Sequence, residues 1–200
     1  RQELLALKVM NPKLDEFDFG NGLCAQVASA PRADLWPNFA SFQRSVQMGA
    51  PLADTYLMAV RVAQQVGAAP SPKLADLLKT RVVGDQMLRF ASGWGSGGMS
   101  DAPVVTKEVK AIIEAHLGMA LAVEDHANTQ WLKRIVTEQG WPKRSDVGEV
   151  AARQAWLLVQ HADADPAFQL TALRLMEPLA SSGEVSRGDC AYLYDRVMLK

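Results

Sequence analysis

A short run of polar residues follows directly on packing residues in the segment Ala155–Asp163, which reads Ala-Trp-Leu-Leu-Val-Gln-His-Ala-Asp. Carbonyl groups at a helix end already lack partners, so a helix that only fills a core does not need Gln160, His161 and Asp163 there. A carboxylate beside a histidine fixes the imidazole tautomer for general acid-base chemistry. The segment therefore predicts a site in which His161 is a general base and Asp163 or Asp165 holds its ring.

A structural role for the same residues is the open alternative. In that interpretation His161 bonds the free carbonyls at the end of its own helix, and Asp165 only caps the next helix. Gln154 and His161 are seven positions apart and share one helix face, while Trp156 and Gln160 share another. The direction of the His161 side chain decides between the two interpretations.

Composition excludes several functional classes. Of the 200 residues, 48% are hydrophobic and 22% are charged, which is typical of a soluble globular chain with a substantial core. The formal net charge of -1 provides no basic field for a phosphate backbone, so nucleic acid is not an expected partner. The apolar runs are far shorter than the roughly 20 residues that cross a bilayer, so no membrane span is expected.

The cysteines, Cys24 and Cys190, lie far apart and lack the spacing of a zinc site. Two buried free thiols are the expected state, and one long-range disulfide is the alternative for an exported protein. A cytoplasmic location is favoured, and export stays open because the sequence begins at Arg1 rather than at Met.

No metal site and no cofactor are expected. Metal sites in helical bundles use Glu-x-x-His repeats on two helices, which the sequence lacks. Glu124 and His126 are only two positions apart, so they point to different sides of a helix. The nucleophile-elbow, P-loop and dinucleotide-binding fingerprints are absent from the sequence as well.

Capping and turn residues divide the chain into helices. We find no period-2 alternation bounded by hairpin turns, so the predicted fold class is all-α, a compact multi-helix domain of about seven or eight helices. Residues 1–70 predict an N-terminal helical cap and residues 71–200 a helical core, together one continuous domain. The predicted helices span 1–10, from Asp34 to a stop at Gly49-Ala50-Pro51, 52–66, 73–90, 101–139, 145–162, 166 to a stop at Pro178 and Gly183, and from Ser186 onward.

Two further segments have alternative roles. Arg81, Asp85 and Arg89 follow one another at four-residue spacing, which is typical of a solvated helix face, but Asp85 and Gln86 could instead face a pocket. The segment Gly93–Gly98 contains an apparently exposed tryptophan and is either a mobile lid or a long loop between helices.

Several motifs in the second part of the chain form a specific combination. They are Asp125 and Asn128 followed by Leu132-Lys133, Gly140-Trp141-Pro142, Ser145-x-Val147-Gly148, the Ala155–Asp163 segment and Tyr192–Val197. From about Leu77 to Lys200 the chain thereby resembles DUF6624, a bacterial family without an assigned activity, and Asp85-Gln86 resembles an earlier motif of that family. The family pattern continues into a short Gly- and Gln-rich tail that this sequence does not contain.

The resemblance implies that polar residues on separate helices converge on a hydrogen-bond network or a ligand pocket. A contact of Asp195 or Arg196 with the His161 region would close such a network most simply. The candidate catalytic residues are His161, Asp163 and Asp195, and the candidate ligand-binding residues are Asp85, Gln86, Asp125, Asn128, Gln160, Gln169 and Arg196.

Our functional expectation is a helical domain that binds a small polar ligand in a pocket between the helices of Asp125, His161 and Asp195. It is hydrolase-like, with His161 as the general base. The alternative is a non-catalytic structural or protein-interaction module, in which the polar residues are a satisfied core network and the tryptophans serve packing or a partner surface.

Overall fold

The computed structural model of the chain describes residues 35–68, 73–100 and 102–198. These residues form seven α-helices and no strand, which confirms the all-α prediction. No helix in the described ranges is both long enough and apolar enough to cross a membrane. The predicted helix at 1–10 and Cys24 lie outside the described residues. The helices are α1 (Phe39–Val66), α2 (Leu74–Gly95), α3 (Lys107–Gln139), α4 (Arg144–Val147), α5 (Glu149–Gln160), α6 (Pro166–Ser181) and α7 (Arg187–Met198).

The chain divides into two compact units. Among the described residues, the first unit takes in those up to Val66 together with those between Gly84 and Val123, and the second takes in those between Gly67 and Val83 together with those from Glu124 onward. Each unit has its own cluster of buried apolar side chains. The predicted division of the sequence near residue 70 stays a prediction.

In the first unit, α1 continues through Gly49 and Pro51, so the predicted helix stop at Gly49-Ala50-Pro51 is wrong. A proline inside a helix removes a backbone donor and typically costs about 3 kcal/mol. Packing offsets this cost, because Gly49 lies so close to α3 that a Cβ atom there would be 2.9 Å from the Cβ atom of Ile112. Ala53, in the turn after the proline, is fully buried.

Helix α2 extends past the predicted end at Phe90 and takes in part of the segment predicted as a lid or loop. Gly95 is buried at the end of this extension, where a Cβ atom would come within 2.8 Å of a leucine side chain on α3. Trp94 is half-buried rather than exposed, since its ring centroid lies 5.1 Å from that of Phe90 and 5.6 Å from that of Tyr56. Helix packing therefore fixes the first half of this segment.

The second unit is built around α5. The buried side chains that surround it come from the first turns of α2, the C-terminal part of α3, and helices α6 and α7. Leu132, Leu158, Met176 and Leu193 each come from a different helix and are at most 1% exposed. Gly183 joins α6 to α7 with a φ of 78°, a left-handed conformation that glycine adopts without a steric penalty.

The segment predicted as one helix from Ser145 to Ala162 is two helices. Gly148 separates α4 from α5 with φ 81° and ψ 160°, a conformation that is essentially restricted to glycine. Ser145 lies inside α4, and its backbone N–H donates to the Glu184 carboxylate at 2.9 Å, so it is not the predicted N-cap of the longer helix. The glycine accounts for the break.

The predicted starts of α6 and α7 are confirmed. The Asp165 carboxylate accepts a hydrogen bond from the backbone N–H of Phe168 at 2.9 Å, directly before Pro166. The Ser186 hydroxyl accepts a hydrogen bond from the backbone N–H of Asp189 at 3.3 Å. Both caps satisfy donors that the first turn of a helix leaves free.

Two other predicted helix boundaries are corrected in part. Helix α6 continues through Pro178 but ends before Gly183 as predicted, and α3 begins at Lys107 rather than near residue 101. The Thr106 hydroxyl accepts a hydrogen bond from the backbone N–H of Val109 at 3.4 Å, at the observed start of α3. The predicted end of α3 at Gln139 is confirmed, since Gly140 follows with a φ of 78°.

Candidate functional site

His161 lies immediately after the last helical residue of α5. Its backbone N–H still donates to the carbonyls of Leu157 and Leu158, at 3.3 and 3.2 Å, but its φ of -90° and ψ of 0° are no longer helical. This sparsely populated backbone region is one in which many active-site residues occur. The side chain of His161 therefore does not follow the regular side-chain directions of α5.

Gln169 of α6 donates to two carbonyls at the end of α5, and that of Val159 also accepts a hydrogen bond from the backbone N–H of Ala162 at 3.2 Å. Its Nε2 donates to the carbonyl oxygen of Val159 at 3.1 Å and to that of Gln160 at 3.2 Å, with a longer contact of 3.4 Å to the Asp163 carboxylate. Gln169 is fully buried. The structural alternative assigned this role to His161, but Gln169 fills it for these two carbonyls.

Asp163 and Arg196 form a bidentate ion pair between the loop after α5 and helix α7. Arg196 donates from Nε to one carboxylate oxygen at 2.9 Å and from Nη2 to the other at 2.5 Å. The hydrogen bond to Asp163 raises the pKa of Arg196, burial opposes this, and the charge of Asp125 contributes further to the increase. Arg196 therefore makes the predicted contact with the His161 region, through Asp163.

Asp125 of α3 and His161 lie close together. Their nearest ligand atoms, a carboxylate oxygen and a ring nitrogen, are within 4.8 Å of each other, and both residues are half-buried. Since Asp125 also acts on the charge of Arg196, one region holds both groups. We call it the α5 polar cluster and define it as Asp125, His161, Asp163, Gln169 and Arg196.

Asn128, one turn after Asp125, belongs to a neighbouring chain of hydrogen bonds. Its side-chain oxygen accepts from Arg81 at 3.0 Å, and its nitrogen donates to Glu124 at 3.5 Å. The Arg81 guanidinium lies 4.4 Å from the ring centroid of Trp131, and its burial lowers the pKa of Arg81. Asn128, which is 2% exposed, thus holds Arg81 in place.

Gln160 and Asp195 differ from the cluster residues in lacking partners. Gln160 is 2% exposed, yet neither polar atom of its side chain has a hydrogen-bond partner within the described ranges. Asp195 is exposed and makes no hydrogen bond or ion pair with any described residue. Of the two adjacent α7 residues, the structure brings Arg196 to the cluster and leaves Asp195 outside it, so the catalytic role of Asp195 stays a prediction without a supporting contact.

Asp85, in the first unit, is fully buried, so the solvated-face interpretation is wrong for this residue. Gln86 donates to one carboxylate oxygen at 2.6 Å, and a guanidinium nitrogen of Arg89 lies 3.3 Å from the other. A buried carboxylate needs such partners because desolvation of its charge is costly. That Asp85 and Gln86 share a site with His161 stays a prediction.

Cys190 has a free thiol and is buried, which confirms the expectation for this cysteine. Burial raises the pKa of the thiol, and the negative charges of Asp189 and Glu177 raise it further. A thiol in such surroundings stays protonated and is a poor nucleophile.

The second unit contains a cavity that the sequence did not predict, beside the first turns of α5. Its volume is about 260 Å³, and we call it the tryptophan cavity. A signal for it exists in the sequence, because Arg153 and Trp156 stand three positions apart and share a helix face. The remaining walls come from distant segments. Its lining includes the side chains of two tryptophans and several charged residues, namely Trp141, Arg144, Arg153, Trp156, Glu184 and Asp189.

Comparisons with known proteins add no family to this geometry. The chain matches no family model, no curated protein and no solved structure. The resemblance to DUF6624 therefore stays a prediction, and the function has to be argued from the contacts themselves.

Proposed function

We propose that the protein binds a small polar ligand at the α5 polar cluster and is hydrolase-like, with His161 as the general base. The observation that carries the proposal is the approach of Asp125 to His161 within 4.8 Å. A carboxylate at this distance reaches an imidazole directly after a small side-chain movement, or through one water molecule. Asp125 then orients the ring, as Asp163 or Asp165 was predicted to do.

Arg196 supplies the positive charge of the proposed site. A guanidinium has five N–H donors, and Asp163 takes two of those on Arg196, so other donors remain for an anionic or strongly polar group of the ligand. The ion pair with Asp163 fixes the position of the guanidinium before a ligand arrives. Fixed donors of this kind stabilise the negative charge that develops on a substrate oxygen during hydrolysis.

The proposed reaction is the hydrolysis of an ester of a small carboxylic or phosphoric acid. His161 takes a proton from a water molecule while the water oxygen bonds to the carbonyl carbon or the phosphorus atom. The bond to the leaving alkoxide breaks, and the same proton passes from His161 to the alkoxide. Protons therefore balance without a cofactor.

Variants of the cluster test this proposal. We would screen small esters and phosphate monoesters for hydrolysis, and measure the shift in Tm that each unreacted analogue causes, for the wild type, His161→Ala and Asp125→Asn. His116→Ala is the matched control, since His116 is a half-buried histidine of α3 in the first unit. We expect a loss of activity of at least about 100-fold in His161→Ala, and a smaller loss in Asp125→Asn.

Equal activity of the wild type and a well-folded His161→Ala variant would contradict the proposal. If ligands still raise the Tm of both cluster variants as they do in the wild type, binding also occurs elsewhere. The control variant should keep both the activity and the Tm shift.

A divalent cation is the second candidate ligand, because carboxylate oxygens and imidazole nitrogens are both common metal ligands and Asp125 and His161 present one of each. These two side chains are fewer than the three or four protein ligands of zinc sites. A cation-dependent Tm that a chelator abolishes, and that Asp125→Asn and His161→Ala both lack, would favour this candidate. Asp85→Asn belongs in the same series, because the sequence predicts Asp85 at the site.

A second observation supports the alternative function, a non-catalytic structural or interaction module. Gln169 and the Asp163–Arg196 pair satisfy one another and the end of α5, as residues of a structural network do. If variants of these residues change only the free energy of unfolding, and no ligand raises the Tm, the module is the better description.

A further inference from the structure

We infer that the tryptophan cavity is a second binding site, separate from the α5 polar cluster, and that it takes a small zwitterion with the chemistry of a free α-amino acid. Its volume of about 260 Å³ limits the size of the ligand. Since a water molecule occupies about 30 Å³ in the liquid, the cavity holds roughly nine non-hydrogen atoms, about as many as leucine contains.

The aromatic walls are fixed before a ligand binds. Trp156 donates from its indole nitrogen to the backbone carbonyl oxygen of Asp189 at 2.9 Å, and its ring meets Tyr192 edge to face with centroids 5.9 Å apart. Trp141, on another wall, is only 4% exposed. The rest of the lining is mostly polar, and a preformed cavity with a few convergent polar groups is typical of small-molecule sites.

Three of the charged groups in the lining already have partners. Glu184 accepts a hydrogen bond from the backbone N–H of Ser145 at 2.9 Å, and this bond lowers the pKa of Glu184. Arg144 approaches Glu149 at 3.6 Å. The first contact holds the short helix α4 against the loop after α6, and the second links α4 to the start of α5.

Asp189 and Arg153 are the charged groups that remain for a ligand. Neither side chain makes a hydrogen bond or an ion pair within the described ranges, although the charge of Arg153 acts on Asp189. Burial raises the pKa of Asp189, as expected for a carboxylate whose solvation is reduced and not replaced by hydrogen bonds. The cavity thus offers a ligand the carboxylate acceptors of Asp189 and the guanidinium donors of Arg153.

This pair of opposite charges selects the class of ligand. An ammonium group bonds Asp189, a carboxylate bonds Arg153, and an aliphatic side chain packs against the indole rings. A simple anion would leave Asp189 without a partner beside Glu184, and a simple cation would leave Arg153 without one. A zwitterion satisfies both groups and adds no net charge.

Calorimetric titration with L-leucine, N-acetyl-L-leucine and L-leucinamide tests the inference on the full chain. The acetyl group removes the positive charge and the amide removes the negative charge, while the side chain stays the same. We expect L-leucine to bind with a Kd at or below the millimolar range and each derivative to bind at least tenfold more weakly. If no leucine binding occurs up to 10 mM, or if N-acetyl-L-leucine binds equally well, the inference is wrong.

Two variants assign the contacts. Arg153→Met should weaken L-leucine but leave L-leucinamide unchanged, and Asp189→Asn should weaken L-leucine but leave N-acetyl-L-leucine unchanged. Arg174→Met and Asp54→Asn are matched controls on exposed positions outside the cavity, and an equal loss in either control would overturn the assignment. His161→Ala should keep leucine binding, so this test and the test of the α5 polar cluster can fail independently.

Discussion

The polar side chains at the two ends of helix α5 differ in whether they have hydrogen-bond partners within the fold. At its C-terminal end, Gln169 bonds two backbone carbonyls, and Asp163 bonds Arg196 in a bidentate pair. Beside its first turns, the side chains of Asp189 and Arg153 line a cavity without a hydrogen bond to a described residue. Most donors and acceptors at the first end are used within the fold, whereas the two charged side chains at the second are available to a ligand.

This difference separates two kinds of substitution. Removing a paired and buried group leaves its partners without hydrogen bonds, so the free energy of unfolding falls. Removing a group that has no partner in the fold costs little stability but changes what the cavity binds. Substitutions of His161 and Asp125 should affect both stability and ligand binding. These residues lie in the α5 polar cluster and are also proposed to act on a ligand.

Gln169→Leu should have the largest effect on stability. The substitution removes the side-chain donor of the Gln160 carbonyl at a fully buried position, whereas the Val159 carbonyl keeps the backbone N–H of Ala162. An unsatisfied buried acceptor costs about 1 to 3 kcal/mol, so we expect a loss of roughly 2 kcal/mol in the free energy of unfolding, measured in urea. The control Gln139→Leu, at an exposed position, should change it by less than about 0.5 kcal/mol. Equal losses in both variants would remove the distinction between the two ends of α5.

The Asp163–Arg196 pair should contribute less. Its side chains are 51% and 30% exposed, so solvent screens much of the attraction. A double-mutant cycle with Asp163→Asn and Arg196→Met should give a coupling free energy below about 1 kcal/mol, decreasing with added salt. A coupling energy of zero would mean that the pair does not hold Arg196 in place, and its role as a prepositioned donor would be lost.

The smallest effect is expected at the cavity, from Asp189→Asn. The pKa of Asp189 is raised in the fold by burial, against the opposing charges of Arg153 and Arg144. The associated stability is therefore present below the unfolded pKa and is lost as pH rises through the folded pKa. Because asparagine does not ionise, the variant should gain stability relative to the wild type as the pH rises from about pH 3 to pH 7, as urea titrations across this range would show. A gain toward low pH would have the wrong sign.

Signals confined to a few neighbouring residues could be predicted from the sequence. The cap at Asp165, the cap at Ser186 and the stop at Gly140 each depend on residues within one turn, and all three were correct. The stop predicted at Gly49 and Pro51 failed because a helix far away in sequence packs against that glycine. Such contacts are invisible to local propensity.

At the α5 polar cluster and the tryptophan cavity, too, contacts between segments distant in sequence could not be predicted. The polar residues after α5 were visible in sequence, and so was a contact from Arg196. Which residue bonds the helix carbonyls depends on how α6 packs beneath α5, and Gln169 took the role expected of His161. The tryptophan cavity was missed because its walls come from α4, α5 and the segment around Asp189, which are distant in sequence.

The proposed function depends on the orientation of the His161 imidazole by Asp125. The ¹⁵N chemical shifts of the two ring nitrogens test it most directly, since they report which nitrogen carries the proton in the neutral ring. The chain has only three histidines, so comparison with His161→Ala assigns the signals. We expect one dominant tautomer in the wild type and a mixture in Asp125→Asn. The same mixture of tautomers in both proteins would contradict the claim.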